Sequence, residues 1–498
     1  MVRDIRDRFI FVLSFASIAC CLVSAISECS FAQITFEKTY GGGFADVARA
    51  VRQTQDGGYA MAGWTWSFGI GLSDVYLVKT DSMGNLLWDS TYGGGSYDAA
   101  YSLEQTSDGG YIMAGYTRSF GAGLSDVYLI KTDSLGTLLW DSTYGGASND
   151  VGHSAVQTMD GGYVVAGETE SSGAGGTDVY IIKTDSLGNA VWDSTYGGSL
   201  DDAAYSVRQT PDGGYIITGS TSSFTASGDV YCIKTDSLGN IVWDTTYGGV
   251  SYDEGNSVAL TSDGGYVVAG RSFSFGAGFG DVYLVKIGAL GNTLWDTTYG
   301  GDSANVGRSV QQTPDQGYVI AGYTQSFGSG NYDVYLVKTD STGTTIWEIA
   351  YGDTADDRGH SVVQTTDSGY AVAGYTRSFG AGANDFYLIK TDGNGMVGVE
   401  QEASTFDVQG SRIKLFQNMP NPLDGSTTIS YSLTAPAHVK LEIFDVAGRW
   451  VETLLDESQE PGMYRIQWNA GDRAGSVYFC RLESGSLTEV RKLILLRK

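Results

Sequence analysis

With 498 residues the chain is long enough for more than one domain, and its acidic residues exceed the basic ones by 27. A surface this acidic repels nucleic acid and anionic membranes, which excludes nucleic acid as a partner and favours cations or basic partners. Most of the excess lies between residues 33 and 400.

The N-terminus reads as an export signal. Arg3, Arg6 and Arg8 precede an apolar run from Phe9 to Ile26, and Ser30 and Ala32 occupy the −3 and −1 places of a cleavage site before Gln33. Residues 1–32 are therefore expected to be a signal peptide. Cleavage there removes Cys20, Cys21 and Cys29 and leaves only Cys232 and Cys480, too few and too distant for a disulfide framework. No later run is long and apolar enough to span a membrane, so no transmembrane segment is expected after signal cleavage.

Residues 33–399 repeat one pattern. The tyrosine of a T-Y-G-G element recurs at Tyr40, Tyr92, Tyr144, Tyr196, Tyr247, Tyr299 and Tyr351, a period of 51–52 residues. A fixed period of this size marks supersecondary units that share a continuous core. In the second copy, Ala100–Thr106 is a short strand and Asp108-Gly109 a hairpin turn. The near-continuous apolar run Tyr111–Thr117 is a strand buried on both faces. A Gly-rich loop at Ser119–Ser125, a third strand at Asp126–Thr132, a turn at Asp133–Gly136 and a fourth strand at Thr137–Tyr144 complete the copy. Four antiparallel strands at this spacing make one propeller blade.

The fourth strand carries Trp88, Trp140, Trp192, Trp243, Trp295 and Trp347, expected as blade-to-blade core. The seventh copy has Val399 instead. Its missing strand is supplied at the other end of the chain by Ile34–Tyr40, with Phe36 in the Trp place, so the ring closes. The expected fold class is all-β: a seven-bladed β-propeller of four-stranded blades, its last blade closed by the N-terminal strand, followed by a small Ig-like β-sandwich. The segment D-S-x-G-N-x-x-W-D-x-x-Y-G-G resembles the tryptophan-docking motif of quinoprotein-type propellers, and T-x-D-G-G-Y resembles an Asp-box. The whole repeat resembles the Y-G-G/D-G-G-Y propellers of secreted bacterial and archaeal proteins, a resemblance that implies the seven-bladed fold and no defined activity.

One polar position varies among otherwise uniform copies. It reads Arg49, Tyr101, His153, Tyr205, Asn256, Arg308 and His360, early in the first strand, which is innermost in a propeller. These side chains are expected to ring one mouth of the central channel, where they either form a ligand site or simply vary as a tolerant loop-proximal position. Three residues earlier stand Asp46, Asp98, Asp150, Asp202, Asp253, Asn305 and Asp357. They are expected either to cap turns or to bind a hard cation such as calcium; no other cofactor is expected. Ser-Phe-Gly loops such as Ser119-Phe120-Gly121 lie on the same face, each Phe contacting a partner or tucking under its own loop. The third-strand lysines Lys79, Lys131, Lys183, Lys234, Lys286, Lys338 and Lys390 read as surface ion pairs beside Asp turns. No G-x-S-x-G elbow, H-E-x-x-H, C-x-x-C or phosphate-binding loop is present, so no catalytic residue is assigned.

After a linker at 400–410, residues 411–498 change pattern. Short alternating strands suggest a small β-sandwich. The residues Pro420-Asn421-Pro422, Ile443–Arg449, Gly462-Met463-Tyr464, Val477-Tyr478-Phe479 and Arg491–Leu496 resemble the C-terminal sorting domain of type IX secretion substrates and the related Ig-like domain of flagellar hook-capping proteins. That resemblance implies a type IX-like secretion machinery as partner, passage through the periplasm of a Gram-negative-type bacterium, and release or attachment at the outer cell surface. Together these readings describe an exported, non-catalytic binding or scaffold module with an extracellular glycan or protein ligand. The alternative is an extracellular polysaccharide hydrolase or lyase with its site at the channel mouth.

Overall fold

The computed structural model describes residues 34–397 and, with short gaps, 413–495. The signal segment 1–32, Val399 and the linker 400–410 lie outside the described residues. The chain divides into two compact units between Glu400 and Gln401. No helix among the described residues is long and apolar enough to cross a membrane.

The first unit is all-β and consists of four-stranded antiparallel sheets, seven among the described residues. Their first strands are Asp46–Gln53, Asp98–Gln105, Asp150–Gln157, Asp202–Gln209, Asp253–Leu260, Asn305–Gln312 and Asp357–Gln364; the sheets are numbered one to seven in that order. In sheet two the first strand begins at Asp98, two residues earlier than the sequence suggested, because Asp98 already pairs with Thr117. The second and third strands, Tyr111–Thr117 and Asp126–Thr132, are buried almost throughout, whereas the fourth strand, Leu138–Tyr144, turns Leu138 and Leu139 to solvent. The first strands of neighbouring sheets touch one another, so they lie innermost.

The series closes on itself. The N-terminal strand Phe36–Tyr40 pairs antiparallel with Asp385–Thr391 and supplies the fourth strand of sheet seven, with Phe36 opposite Lys390. Sheets seven and one then share a core containing Phe36, Tyr59, Phe386 and Leu388. Polar links repeat around the ring. The hydroxyl of Tyr92 donates to the Gly136 carbonyl of the next sheet at 2.5 Å, and Tyr40 to Gly84 at 2.6 Å across the closure. On the inner strands, the Val207 amide donates to Ser154 Oγ at 3.3 Å and the Val51 amide to Ser361 Oγ at 3.2 Å.

One packing expectation holds in part and another is corrected. The tryptophans do pack between neighbouring sheets, but they are partly rather than fully buried: Trp88 leans edge-on against Tyr111 of the next sheet, with centroids 6.1 Å apart. The fully buried aromatics include the tyrosines that open the second strands, Tyr59, Tyr111, Tyr163, Tyr215, Tyr318 and Tyr370, together with Tyr335, Tyr387, Phe36 and Phe386. An outer strand has a neighbour on one side only, so its large ring covers the seam between sheets and keeps one face wet. The third-strand lysines are not on the surface. Lys131 is 3% exposed; its ammonium lies 2.9 Å from Asp108 Oδ2 and donates to the Thr132 carbonyl at 2.8 Å. The second glycine of D-G-G makes the room, since a Cβ on Gly110 would stand 2.5 Å from Lys131 Nζ.

The second unit packs two antiparallel sheets around one core. Ile413–Leu415, Ser426–Leu433 and Gly462–Asn469 form one sheet; Trp450–Gln459, Ala437–Asp445, Ser476–Ser484 and Leu487–Leu495 form the other, in that spatial order. Between them lie Ile429, Tyr431, Leu441, Ile443, Trp468, Cys480 and Leu493. The Pro420-Asn421-Pro422 element lies outside the described residues. The turn at 445–449 is set by Asp445, whose carboxylate accepts the Arg449 amide at 2.9 Å and its guanidinium at 2.7 Å. Cys232 and Cys480 are both buried free thiols.

Candidate ligand site at the channel mouth

A local irregularity of the backbone builds the site. In every first strand the pairing register slips by one residue: Ala48 faces Gly63 and Ala50 faces Ala62, leaving Arg49 as a β-bulge. The other bulged residues are Tyr101, His153, Tyr205, Asn256, Arg308 and His360. A bulge re-aims the side chain it carries. Here it turns seven equivalent positions toward the axis, and all seven line one cavity of about 330 Å³ together with Glu254. The glycine opposite each bulge is obligatory, because a Cβ on Gly115 would lie 1.8 Å from the Ala99 carbonyl oxygen.

Neighbouring side chains touch around the mouth. The Arg49 guanidinium lies 5.6 Å from the Tyr101 ring centre, His153 stacks on Tyr101 at 5.3 Å, and Tyr205 meets His153 edge-on at 5.4 Å. Farther round, Arg308 Nη1 donates to Asn256 Oδ1 at 3.1 Å and Nη2 to the Tyr323 hydroxyl at 3.2 Å. His360 completes the circle, its Nε2 lying 3.3 Å from Arg49 Nη1. Burial, reinforced by the charges of Arg49, Arg308 and Arg358, holds the His360 pKa well below the usual imidazole value, so this ring is neutral. His153 Nε2 sits 3.5 Å from Glu168 Oε1, a polar contact without hydrogen-bond geometry.

The aspartates three residues before each bulge are occupied within their own loops. Asp98 Oδ2 accepts the Gly94 amide at 2.8 Å and the Ser119 hydroxyl at 2.6 Å, while Thr117 donates to Oδ1. Asp46, Asp202, Asp253 and Asp357 likewise accept from serines 67, 223, 274 and 378, and Asp150 from Ser171. Each lies in a separate sheet, and no three His, Cys, Asp or Glu side chains group as metal ligands among the described residues. The charges of Asp98, Asp253, Asp357 and Asp46 also act on the aspartate that opens the third strand of the preceding sheet, respectively Asp74, Asp229, Asp333 and Asp385. Burial, loop amides and the charge of Asp357 act on Asp333, and the net effect is to raise its pKa to about 6. The Asp281–Asn305 pair instead makes a direct 2.9 Å hydrogen bond from the Asn305 amide. The Ser-Phe-Gly phenylalanines rest on the third-strand tyrosine of their own sheet, as with Phe120 and Tyr128 at 5.9 Å, and remain partly exposed.

Two features escaped the sequence reading. Glu254, and Arg358 beside it in role, stand two residues before the bulge, where the other copies have Val47, Ala99, Val151, Ala203 and Val306. A polar outlier at an apolar position was the available signal. Three residues after the bulge runs a second varied set, Arg52, Glu104, Val156, Arg208, Ala259, Gln311 and Val363. It lies near the opposite ends of the first strands, where clefts of about 620 Å³ and 510 Å³ are lined partly by Gln311 and by Glu104 and Arg208. Burial and then the charge of Arg52 lower the Arg208 pKa to about 10 against the opposing pull of Glu104.

Comparison with known proteins identifies the C-terminal unit. Residues 417–496 match the family of secretion system C-terminal sorting domains. The chain thus carries a sorting tail and is an exported protein, secreted or placed at the cell surface. A curated relative, the regulatory protein FlaEY of Caulobacter vibrioides, is 24% identical over 240 residues; the match spans 45% of this chain and only 23% of that protein. Among solved structures, a copper-bound fungal alcohol oxidase is similar at 12% identity with a TM-score of 0.45, covering 93% of this chain and 100% of that one. Sqt1 from Chaetomium thermophilum is similar at 13% identity and a TM-score of 0.41, covering 68% and 82%. A family 43 arabinoxylan arabinofuranohydrolase from Bacillus subtilis shows 11% identity and a TM-score of 0.28, covering 92% and 96%.

Proposed function

We propose that the chain is an exported, seven-bladed propeller that acts as a non-catalytic binding module. In this reading its Ig-like C-terminal unit, residues 411–498, directs type IX-like secretion or surface attachment after a signal peptide has brought the chain to the periplasm. The observation that carries the binding role is the convergence of seven side chains of four kinds, one per sheet, on a single cavity. Uniform blades hold the frame, and the bulged positions are free to vary toward a ligand. The ligand is an extracellular glycan or protein. The second reading, a polysaccharide hydrolase or lyase, draws on the approach of His153 to Glu168 beside the same cavity.

A ligand screen on the mature chain, with and without calcium, separates these readings through shifts in melting temperature and product analysis. The binding role predicts that a glycan raises the melting temperature and is recovered intact. Turnover that disappears in the His153→Ala/His360→Ala double variant would overturn it in favour of the enzyme. Stabilisation by calcium alone, lost on Asp98→Asn, would assign the aspartate positions to a cation.

A further inference from the structure

The mouth is divided by charge. Sheets six, seven and one contribute Arg308, His360 and Arg49 in consecutive order, with Arg358 on the His360 strand. Sheets two, three and four contribute Tyr101, His153 and Tyr205 as a continuous aromatic wall. Arg358 has Asp356 at 3.8 Å, but among the described residues no carboxylate lies within ion-pair distance of Arg49 or Arg308. The Nε of each of these two guanidiniums is buried and without a hydrogen-bond partner. A buried donor on a charged group is costly to leave unmade, and a chain with 57 acidic residues does not lack partners for it. His360 adds no charge of its own, because burial and the surrounding arginines keep it neutral, and its Nε2 holds one edge of Arg49.

We infer that the mouth binds a carboxylate-bearing sugar, a hexuronate unit of an acidic polysaccharide; this rests on the reading of the mouth as a binding site. The carboxylate lies on the Arg49–Arg308 arc, where a guanidinium fork matches its two oxygens. The apolar face of the sugar ring lies against Tyr101 and Tyr205, and Asn256 and Glu254, joined by a 3.2 Å hydrogen bond from the Asn256 amide, border its hydroxyl groups. Glu254 at the edge of the cationic arc favours a monoanion over a doubly charged phosphate. A cavity of about 330 Å³ fits one or two sugar rings and not a protein loop of any length.

Titration calorimetry of the mature chain with trigalacturonate, with the neutral galactose trimer and with inorganic sulfate tests this. Trigalacturonate is expected to bind about ten-fold or more tightly than the neutral trimer, and Arg49→Gln or Arg308→Gln to lower its affinity about ten-fold, a larger loss than either variant shows with the neutral trimer. Melting temperatures of each variant are measured alongside. If Arg49→Gln does not fold, Arg49→Lys, which keeps the charge and loses the fork, is expected to lose part of the same preference. Equal binding of the acidic and neutral trimers, weakened by Tyr101→Ala, overturns the acidic-sugar assignment and leaves the binding site standing. Tighter binding of sulfate than of trigalacturonate overturns it as well. No binding of any of the three probes, in wild type or variants, overturns both.

Discussion

Burial raises the Asp333 pKa, and Asp357 of the next sheet lies close enough for its charge to raise it further; Asp281 with Asn305 shows the arrangement that relieves the conflict. A carboxyl raised to about 6 in the folded state favours folding fully below its unfolded value near 4 and loses that contribution as pH rises through about 6. Asp357→Asn removes the facing charge. The melting temperature of this variant is expected to fall less than that of the wild type between pH 4.5 and 7.5, and two parallel curves would refute the shared-charge account. The buried lysines give a second test. Asp108 holds Lys131, the Thr106 hydroxyl and the Gly110 amide at once, and these contacts keep its pKa near 2 against the effect of burial. Asp108→Ala strands a buried ammonium and is expected to cost about 2–4 kcal/mol, more than Lys131→Met, as read by denaturant unfolding. The pairing of these residues was legible in the repeat, but their burial was not. Lysine reads as a surface residue until the neighbouring glycine is seen to leave space for its ammonium.

At the scale of the strand, the bulge is what turns a repeat into a site. The position was legible as a varied polar place in a repeating pattern. The reason it points inward was not, because a bulge is a slip in the pairing with the neighbouring strand, which the sequence of one strand does not record. Its trace in the sequence is the glycine opposite. Gly115→Ala is expected to destabilise by about 3 kcal/mol or more, since its Cβ would meet backbone that cannot move aside. Gly109→Ala, at a φ of 81° but facing open space, is expected to cost only about 1 kcal/mol. Similar losses in the two variants, measured by the same unfolding assay, would remove the bulge from the account. The tryptophan strand shows the opposite limit of sequence reading. A recurring large aromatic looks like core, yet its place on the outermost strand leaves it half wet, a matter of strand order and not of residue type.

For the whole molecule, the period and the displaced strand were enough to foresee sheets arranged in a closed series, and the sorting tail was legible from its motif set. Deleting residues 411–498 is expected to trap the chain in the periplasm, read by fractionation; normal export of the shortened chain would count against the sorting role. The joint between Phe36–Tyr40 and Asp385–Thr391 carries a further consequence. The first of these segments leaves the ribosome early and its partner only after every other sheet has been made. Until then sheet seven has no outer strand and the early strand has no neighbour. Assembly therefore cannot be completed from one end, and the order of synthesis makes the oldest part of the ring the last to be locked. During refolding of the unfolded mature chain, a pulse of protease should cut near residue 40 until that strand has paired with Asp385–Thr391, and spare it afterwards.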